Sequence, residues 1–225
     1  MGKIYEVSDW HLADETGPST PNHKRMNDFL DMVGKSPLRI KGDLFEGWRN
    51  TWNEIMAGPS LKIMERLRHM DVDIILGNHD RKLRDVIEAY FGKPTSESMY
   101  VGTKTGKRTI VHGDWLDPLL DTEWKQEASA IFARFVFEAN QNSLNEAADA
   151  IARRDRTNTP LIENSKKTGG WWDVGHSHQP IDLTDGDYRF INSGGWLKGE
   201  ALCFITEDED TGQLTLVQFA PGQEG

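Results

Sequence analysis

The acidic residues and histidines of this sequence are concentrated in five short motifs whose side chains suit divalent metal ions. The motifs are Ser-Asp-Trp-His at 8–11, Gly-Asp-Leu-Phe-Glu at 42–46, Gly-Asn-His-Asp at 77–80, His-Gly-Asp at 112–114 and Gly-His-Ser-His at 175–178. Carboxylate, imidazole and amide-oxygen ligands without a nearby thiolate form the mixed nitrogen and oxygen set that such ions accept. Two ions held in this way can polarise a phosphate and activate water, so the chemistry indicated is phosphate hydrolysis.

Two features of the motifs favour a site for two ions. Asp9 and His11 are two residues apart, as are His176 and His178, so on extended backbone each pair points to one side. A single carboxylate at Asp43 can bridge two ions about 3.5–4 Å apart, the separation used in phosphoryl chemistry. Five of the seven histidines lie in the motifs, and we assign no role to the other two.

The motifs recur at an even interval along the chain. Asp9, Asp43, Asn78 and His112 follow one another at 34, 35 and 34 residues, and His176 comes 64 residues after His112. About 34 residues accommodate one strand, a return helix and their turns. The spacing therefore predicts that the motifs follow successive strands on one edge of a layered sheet, where α/β proteins bind ligands.

Short strand patterns alternate with helical ones in the first half of the chain. Strands are predicted at 4–8, 38–42, 72–76, 109–112, 171–174, 188–192, 201–206 and 214–219, and helices at 24–33, 61–70 and 82–90. The alternation predicts an α/β fold, and the strands after Gly175 predict a second, more antiparallel sheet.

One interval interrupts this pattern. Residues 123–139 and 143–153 carry broad apolar stripes at helical spacing, and Asn-Thr-Pro at 158–160 is predicted to end them. We expect a single domain over 1–225 with a helical cap inserted at about 115–165, which also explains the long fourth interval.

Composition restricts the classes of protein that fit. The chain has 225 residues, of which 37% are hydrophobic, so it can form a sizeable core. Its formal net charge of −10 disfavours non-specific binding to nucleic acid or anionic lipid. With one cysteine, Cys203, no apolar signal-peptide segment at the start and no transmembrane-length apolar stretch, the expected location is cytoplasmic.

Taken together, Asp-Trp-His, Gly-Asp-Leu-Phe-Glu, Gly-Asn-His-Asp, His-Gly and Gly-His-Ser-His resemble the calcineurin-like metallophosphoesterase family over residues 9–178. The longer pieces Gly-Asp-Leu-Phe-Glu-Gly-Trp, Gly-His-Ser-His-Gln-Pro and Ser-Gly-Gly-Trp look most similar to its UDP-2,3-diacylglucosamine hydrolase branch, which also has a helical insertion. The resemblance implies a four-layer αββα sandwich, in which two mixed β-sheets face each other between flanking helices.

The resemblance also implies a cofactor and its ligands. Two divalent metal ions are expected, Mn²⁺ first, with iron, zinc or magnesium as variants. The implied ligands of one ion are Asp9, His11, Asp43 and His178, and those of the other are Asp43, Asn78, His112 and His176.

Four residues depart from the family pattern. Glu46 stands where the family often has aspartate, and His79 stands where the lipid branch commonly has arginine. Arg39 and Lys41 are polar for a strand that is expected to be buried on both faces.

Several residues beside the motifs are candidates for roles in catalysis and substrate binding. His79 is the candidate general acid for the leaving group, oriented by Asp80 or by a backbone carbonyl, while a metal-bridging hydroxide attacks phosphorus. Arg81 can grip a second phosphate or simply begin a helix. Trp48 and Trp52 can line a substrate pocket or pack in the core.

The expected activity is hydrolysis of a phosphodiester or pyrophosphate bond in a small substrate of nucleotide type or UDP-sugar-lipid type. One alternative is a metal-dependent nuclease acting on DNA or RNA, which the charge of −10 and the absence of a long basic stripe oppose. Another is a non-catalytic scaffold on the same fold, which the intact motifs oppose. A small phosphorylated substrate is the expected partner, with no stable nucleic-acid partner, and the oligomeric state is left open.

Overall fold

Ten strands form two mixed five-stranded sheets within residues 2–13, 21–103, 106–118, 125, 158–197 and 199–220, which the computed structural model describes. The strands are β1 Lys3–Val7, β2 Leu38–Lys41, β3 Val72–Ile75, β4 Ser98–Thr103, β5 Gly106–Val111, β6 Trp171–Val174, β7 Ile181–Asp185, β8 Tyr188–Asn192, β9 Cys203–Asp208 and β10 Leu214–Gln218. The helices are α1 His23–Val33, α2 Trp52–Ala57, α3 Leu61–Arg68, α4 Arg84–Phe91 and α5 Asn158–Lys166, with short 3-10 helices at Arg81–Leu83 and Asp114–Leu116.

The two sheets differ in how much of each is parallel. The first has the order β10-β9-β1-β2-β3, in which β1, β2 and β3 are parallel and β9 and β10 are antiparallel additions. The second has the order β4-β5-β6-β8-β7, with β5, β6 and β8 parallel and an antiparallel strand at each edge. Two mixed sheets with flanking helices confirm the predicted α/β sandwich.

The parallel order of the first sheet follows from its crossover helices. Helix α1 connects β1 to β2, and α2 and α3 connect β2 to β3. Asn22 caps α1 by accepting a hydrogen bond from the backbone N–H of Arg25 at 3.4 Å. Four apolar side chains of α1 recur at helical spacing and are buried against the first sheet, because that spacing places them on one face. They are Met26, Phe29, Leu30 and Val33.

Several predictions about individual elements are wrong. The strands after Gly175 do not form one sheet, because β7 and β8 extend the second sheet whereas β9 and β10 return to the first. Strands β4 and β7 were not predicted. Helix α5, at Asn158–Lys166, was not predicted, and the helical pattern that was predicted to end at 158–160 lies outside the described residues. Most of the cap predicted at about 115–165, namely 119–124 and 126–157, lies outside the described residues.

None of the helices in the described ranges is long and apolar enough to cross a membrane.

Candidate metal centre

The predicted ligands follow the carboxyl ends of five strands and come together from both sheets. The first sheet supplies Asp9, His11, Asp43 and Asn78, and the second supplies His112, His176 and His178. The even spacing thus predicts correctly that each motif follows the end of a strand. The prediction that all the motifs lie on one edge of a single sheet is wrong, because the strands belong to two sheets. The hairpin of β4 and β5 belongs to the second sheet and places His112 there, so the site lies between two facing sheet edges.

One group of ligand atoms gathers around His178. Its Nε2 lies 3.1 Å from Nε2 of His11 and 3.3 Å from Oδ1 of Asp9. Nε2 of His11 is 3.7 Å from Oδ2 of Asp43. Asp9, His11 and His178 together have the spacing of a metal-binding group.

A second group gathers around His112. Its Nε2 lies 3.1 Å from Oδ1 of Asn78 and 3.1 Å from Oδ2 of Asp43. Nδ1 of His176 is 3.3 Å from the same nitrogen of His112. Oδ2 of Asp43 is thus near both groups, which is the arrangement predicted for a bridging carboxylate.

The donor atoms fit divalent cations. Two nitrogens bound to one ion at about 2.1 Å are themselves about 3.0–3.4 Å apart, and both close pairs of histidine nitrogens fall in that range. Oδ1 of Asp9 is buried and accepts no hydrogen bond from any described residue. Burial lowers the pKa of His11, which keeps its imidazole neutral and able to ligate.

Each of the four ligand histidines has an oxygen beside the ring nitrogen that points away from the centre. Nδ1 of His178 lies 2.6 Å from Oε1 of Glu200, and Nε2 of His176 lies 3.2 Å from Oδ2 of Asp117. The backbone oxygen of Lys41 is 2.9 Å from Nδ1 of His112. Oxygens placed in this way fix the tautomer and ring orientation of metal-binding histidines.

For His11, the oxygen beside Nδ1 is Oε2 of Glu46 at 3.2 Å, which is within ion-pair distance but does not form a hydrogen bond with that nitrogen. Glu200 and Asp117 were missed by sequence reasoning. They stand alone in loops and share no motif or spacing with the ligands that they contact.

Backbone strain is concentrated at the same positions. The five non-glycine residues with positive φ in the described chain are all predicted ligands, namely Asp9 (56°), His11 (45°), Asp43 (51°), His176 (68°) and His178 (57°). Such conformations cost about 1–3 kcal/mol each and occur where surrounding structure enforces them. Trp10, between two of these residues, is fully buried and packs on Trp196 with ring centroids 5.8 Å apart, which holds the first motif in place.

The buried charges shift the titration of two central residues in opposite directions. Burial would lower the pKa of His112, but the carboxylates of Asp43, Asp9 and Asp114 raise it to about 10. Burial would raise the pKa of Asp43, yet His112 and the neighbouring histidines hold it well below its usual value. The raised pKa favours the protonated ring of His112 in the metal-free protein, and an ion bound at this ring would have to displace that proton.

His79 lies beside the two ligand groups in an arrangement that suits a proton donor. Its Nδ1 is 2.7 Å from Oε1 of Glu46, and its Nε2 is 3.9 Å from Oδ2 of Asp43. The ring of Trp48 stacks on it with centroids 4.0 Å apart and an interplanar angle of 14°. Burial would lower the pKa of His79, but the charges of Glu46 and Asp43 raise it.

Asp80 does not orient His79, contrary to the prediction. Its carboxylate accepts hydrogen bonds from the backbone N–H groups of Leu44, Phe45 and Gly77 at 3.2, 2.9 and 3.1 Å. Asp80 therefore joins the loop after β2 to the loop after β3, and the orientation of His79 falls to Glu46.

The remaining candidates lie around the centre with different surroundings. Arg81 makes a two-pronged ion pair with Asp114, at 2.6 and 3.1 Å, which links the third and fourth motifs. Trp52 is partly buried and packs between Phe45 and Tyr90, with ring centroids 5.4 and 5.7 Å away, which favours core packing over pocket lining among its two predicted roles.

Comparisons with known proteins support the fold. No family model matches the chain, and no curated protein matches it. The chain is similar in structure to YfcE, a phosphoesterase from E. coli, with 18% identity, a TM-score of 0.51 and coverage of 96% of this chain and 98% of that chain. It is also similar to a novel archaeal phosphodiesterase, with 15% identity, a TM-score of 0.50 and coverage of 96% and 99%. At these identities the likeness shows a shared fold.

Proposed function

We propose that this chain is a calcineurin-like metallophosphoesterase that hydrolyses a phosphodiester or pyrophosphate bond with two divalent ions, Mn²⁺ first among them. The observation that carries the proposal is the position of Asp43, whose Oδ2 lies 3.1 Å from His112 and 3.7 Å from His11. One carboxylate between two ligand groups is the arrangement that a two-metal site for phosphoryl chemistry requires.

Most of the proposed ligands are neutral, so a centre with two bound divalent ions would keep a net positive charge that can attract a phosphate. When bound, two divalent ions neutralise phosphate oxygens and lower the pKa of a water molecule so that it can attack phosphorus. Asp9 and Asp43 contribute two negative charges, fewer than two such ions bring. An anionic substrate is therefore attracted locally even though the chain has a formal charge of −10.

The chain's own proton donor is His79. Glu46 accepts from Nδ1, and the charges of Glu46 and Asp43 raise the pKa of His79, which favours the doubly protonated ring with a second proton on Nε2 at the side facing Asp43. A leaving oxygen held beside the centre can take that proton as its bond to phosphorus breaks. Trp48 restricts the ring to one plane by stacking on it.

The substrate class proposed is a small phosphorylated molecule of nucleotide type or UDP-sugar-lipid type, after the motif resemblance. Hydrolysis of a UDP-linked acyl sugar would test whether the chain acts like the UDP-2,3-diacylglucosamine hydrolase branch. A cytoplasmic location also remains a prediction from composition.

A substrate panel tests the proposal. The Mn²⁺-loaded protein, its Asp43→Asn variant and an exposed control, Asp187→Asn, are assayed on phosphomonoesters, phosphodiesters, pyrophosphates, a UDP-linked acyl sugar and single-stranded DNA. We expect wild type and control to hydrolyse a small diester or pyrophosphate, and Asp43→Asn to lose activity and metal together. Full activity in Asp43→Asn would refute the two-metal proposal. Cleavage of DNA alone would favour a nuclease, and no turnover at all would favour a scaffold.

A further inference from the structure

Six charged side chains form a buried network between the two sheets. They are Glu6, Arg39, Lys41, Arg108, Asp173 and Glu207. Three are cations and three are acids, so their formal charges cancel. Glu6, Lys41 and Asp173 have no exposed surface. The two polar residues of β2 that looked unusual for a buried strand belong to this network.

The network connects one sheet to the other. Nη2 of Arg108, on β5 of the second sheet, lies 3.0 Å from Oε1 of Glu6 and 2.8 Å from Oε2 of Glu207, both on the first sheet. Nζ of Lys41, on β2, donates to Oδ1 of Asp173, on β6. Nη1 of Arg39 binds the same two glutamates within the first sheet, at 2.8 and 2.5 Å.

Five of the six members lie on strands that lead to the predicted metal ligands, with Arg39 and Lys41 both on β2. The network residue precedes the first ligand of its strand by two to four positions, in the pairs Glu6 and Asp9 on β1, Lys41 and Asp43 on β2, Arg108 and His112 on β5, and Asp173 and His176 on β6. Every ligand-bearing strand except β3 is thus tied into the network just before its ligands.

Lys41 has the most direct link to the centre. Its side chain pairs with Asp173 of the opposite sheet, and its backbone oxygen lies 2.9 Å from Nδ1 of His112, also on the opposite sheet. One residue thus fixes both the spacing of the sheets and the direction of a ligand ring.

Stability alone does not explain such a network. Burying charges costs solvation energy, and replacing a buried ion pair by well-packed apolar residues is often neutral or stabilising. Apolar faces can slide over one another, whereas charged pairs are lost when their partners shift. Both ligand groups draw on both sheets, so a lateral shift of one sheet changes the distances among ligand atoms.

We propose that this buried ion network sets the register of the two sheets and thereby positions the two halves of the metal centre. Its members are positioning residues, with Lys41 and Asp173 as the principal pair. The inference rests on the proposed metal centre, because it concerns how that centre is assembled.

The test distinguishes an effect of the network on the register of the sheets from an effect on the stability of the fold. The variant Lys41→Met/Asp173→Leu replaces the pair with apolar side chains. Lys24→Met/Asp28→Leu makes the same changes in the exposed ion pair of α1, whose Nζ and Oδ2 are 2.8 Å apart, and serves as the control. For each protein, Mn²⁺ stoichiometry and affinity are measured by calorimetry, the coupling between the two ions by electron paramagnetic resonance, and Tm on the metal-free protein.

We expect the buried double variant to keep the wild-type Tm or exceed it, while Mn²⁺ affinity falls about tenfold or more and the coupling between ions changes. Wild-type affinity and coupling in that variant would overturn the inference. If the double variant does not fold, Arg108→Met, which removes the hydrogen bonds from β5 to Glu6 and Glu207 of the first sheet, takes its place. Unchanged affinity and coupling in Arg108→Met would then overturn the inference equally.

The same measurements distinguish this inference from the proposed function. If wild type binds no pair of Mn²⁺ ions, both are wrong. If wild type binds two coupled ions and the network variants have the same affinity and coupling, the proposed metal centre is supported and only the positioning role of the network is wrong.

Discussion

Oε1 of Glu200 lies 2.6 Å from Nδ1 of His178, and this contact determines which nitrogen of the ring faces the metal centre. The other carboxylate oxygen of Glu200 accepts the backbone N–H of Leu197 at 2.9 Å, so the carboxylate is itself held in place. Gly195 lies against the pair, where a Cβ would collide with both side chains. Nε2 of His178 is therefore the nitrogen offered to an ion.

Replacing Glu200 with glutamine should weaken metal binding. The amide carries no charge and supports the imidazole less strongly, so we expect Mn²⁺ affinity to fall about 10- to 100-fold while Tm of the metal-free protein changes little. Calorimetric titration measures the affinity, with the exposed Glu209→Gln as the matched control. Equal affinities in the two variants would show that Glu200 does not orient His178.

Metal affinity should depend on pH because of His112. Its pKa in the metal-free protein is about 10, against an ordinary value of 6.5, so the folded protein holds an additional proton between these values. That proton stabilises the metal-free fold fully below pH 6.5, and its contribution is lost as pH rises through about 10. Because an ion needs the neutral ring, affinity should rise as pH rises, by about tenfold per unit for one displaced proton.

Mn²⁺ titrations between pH 7.0 and 8.5, each in two buffers of different ionisation enthalpy, count the protons released. A variant His112→Asn, which has no ionisable ring, should show a shallower pH dependence. Proton release that is the same in both proteins would contradict the assignment to His112.

His79→Gln should lower kcat and leave the metal content near that of wild type. Loss of a positioned proton donor costs about 10²- to 10⁴-fold. The loss should be largest for substrates with a poor leaving group and small for an aryl ester whose leaving oxygen needs no proton. Kinetics on a matched pair of esters measure the difference, with the exposed His69→Gln as control. Loss of metal in His79→Gln would make His79 a ligand instead.

Asp80→Ala should destabilise the protein before it affects any chemical step. It leaves the buried N–H groups of Leu44, Phe45 and Gly77 without their acceptor, at a cost of roughly 1–3 kcal/mol for each group that water does not reach. For a chain of this size, Tm falls by about 2–4 °C per kcal/mol. Thermal unfolding of the metal-free protein measures it, with the exposed Asp187→Ala as control. A drop in kcat at unchanged Tm would instead support the catalytic role first predicted for Asp80.

The motifs and the strands before them could be recognised because their signals are local, whereas the arrangement of two facing sheets was implied by the family resemblance. Asp9 and His11, or His176 and His178, are neighbours in sequence, and short apolar runs mark the strands before them. The partners of those ligands could not be predicted in this way. Glu200 reaches His178 from a loop 22 residues away, and nothing in its surrounding sequence indicates that contact.

Long-range pairing limited the prediction in two further places. The sequence of β9 predicts a strand but does not predict that it pairs with β1. Which strand β9 pairs with depends on packing across the whole molecule. Lys41 looked unusual for a buried strand because its partner, Asp173, is 132 residues away. The role of Asp80 was mistaken for a similar reason, since a position in a motif does not indicate which atoms the side chain contacts.

The pairing of β1 with β9 has a consequence for how the protein is made. Tyr5 lies opposite Thr206, so β1 acquires this neighbour only after about 200 further residues have been synthesised. At ordinary rates of synthesis that delay is about 10–40 s. Through this interval β1 carries an unpaired edge, the form of strand most prone to wrong association. This edge of β1 therefore stays without its native partner until β9 has been made, and the yield of folded protein should depend on what shields that edge in the meantime.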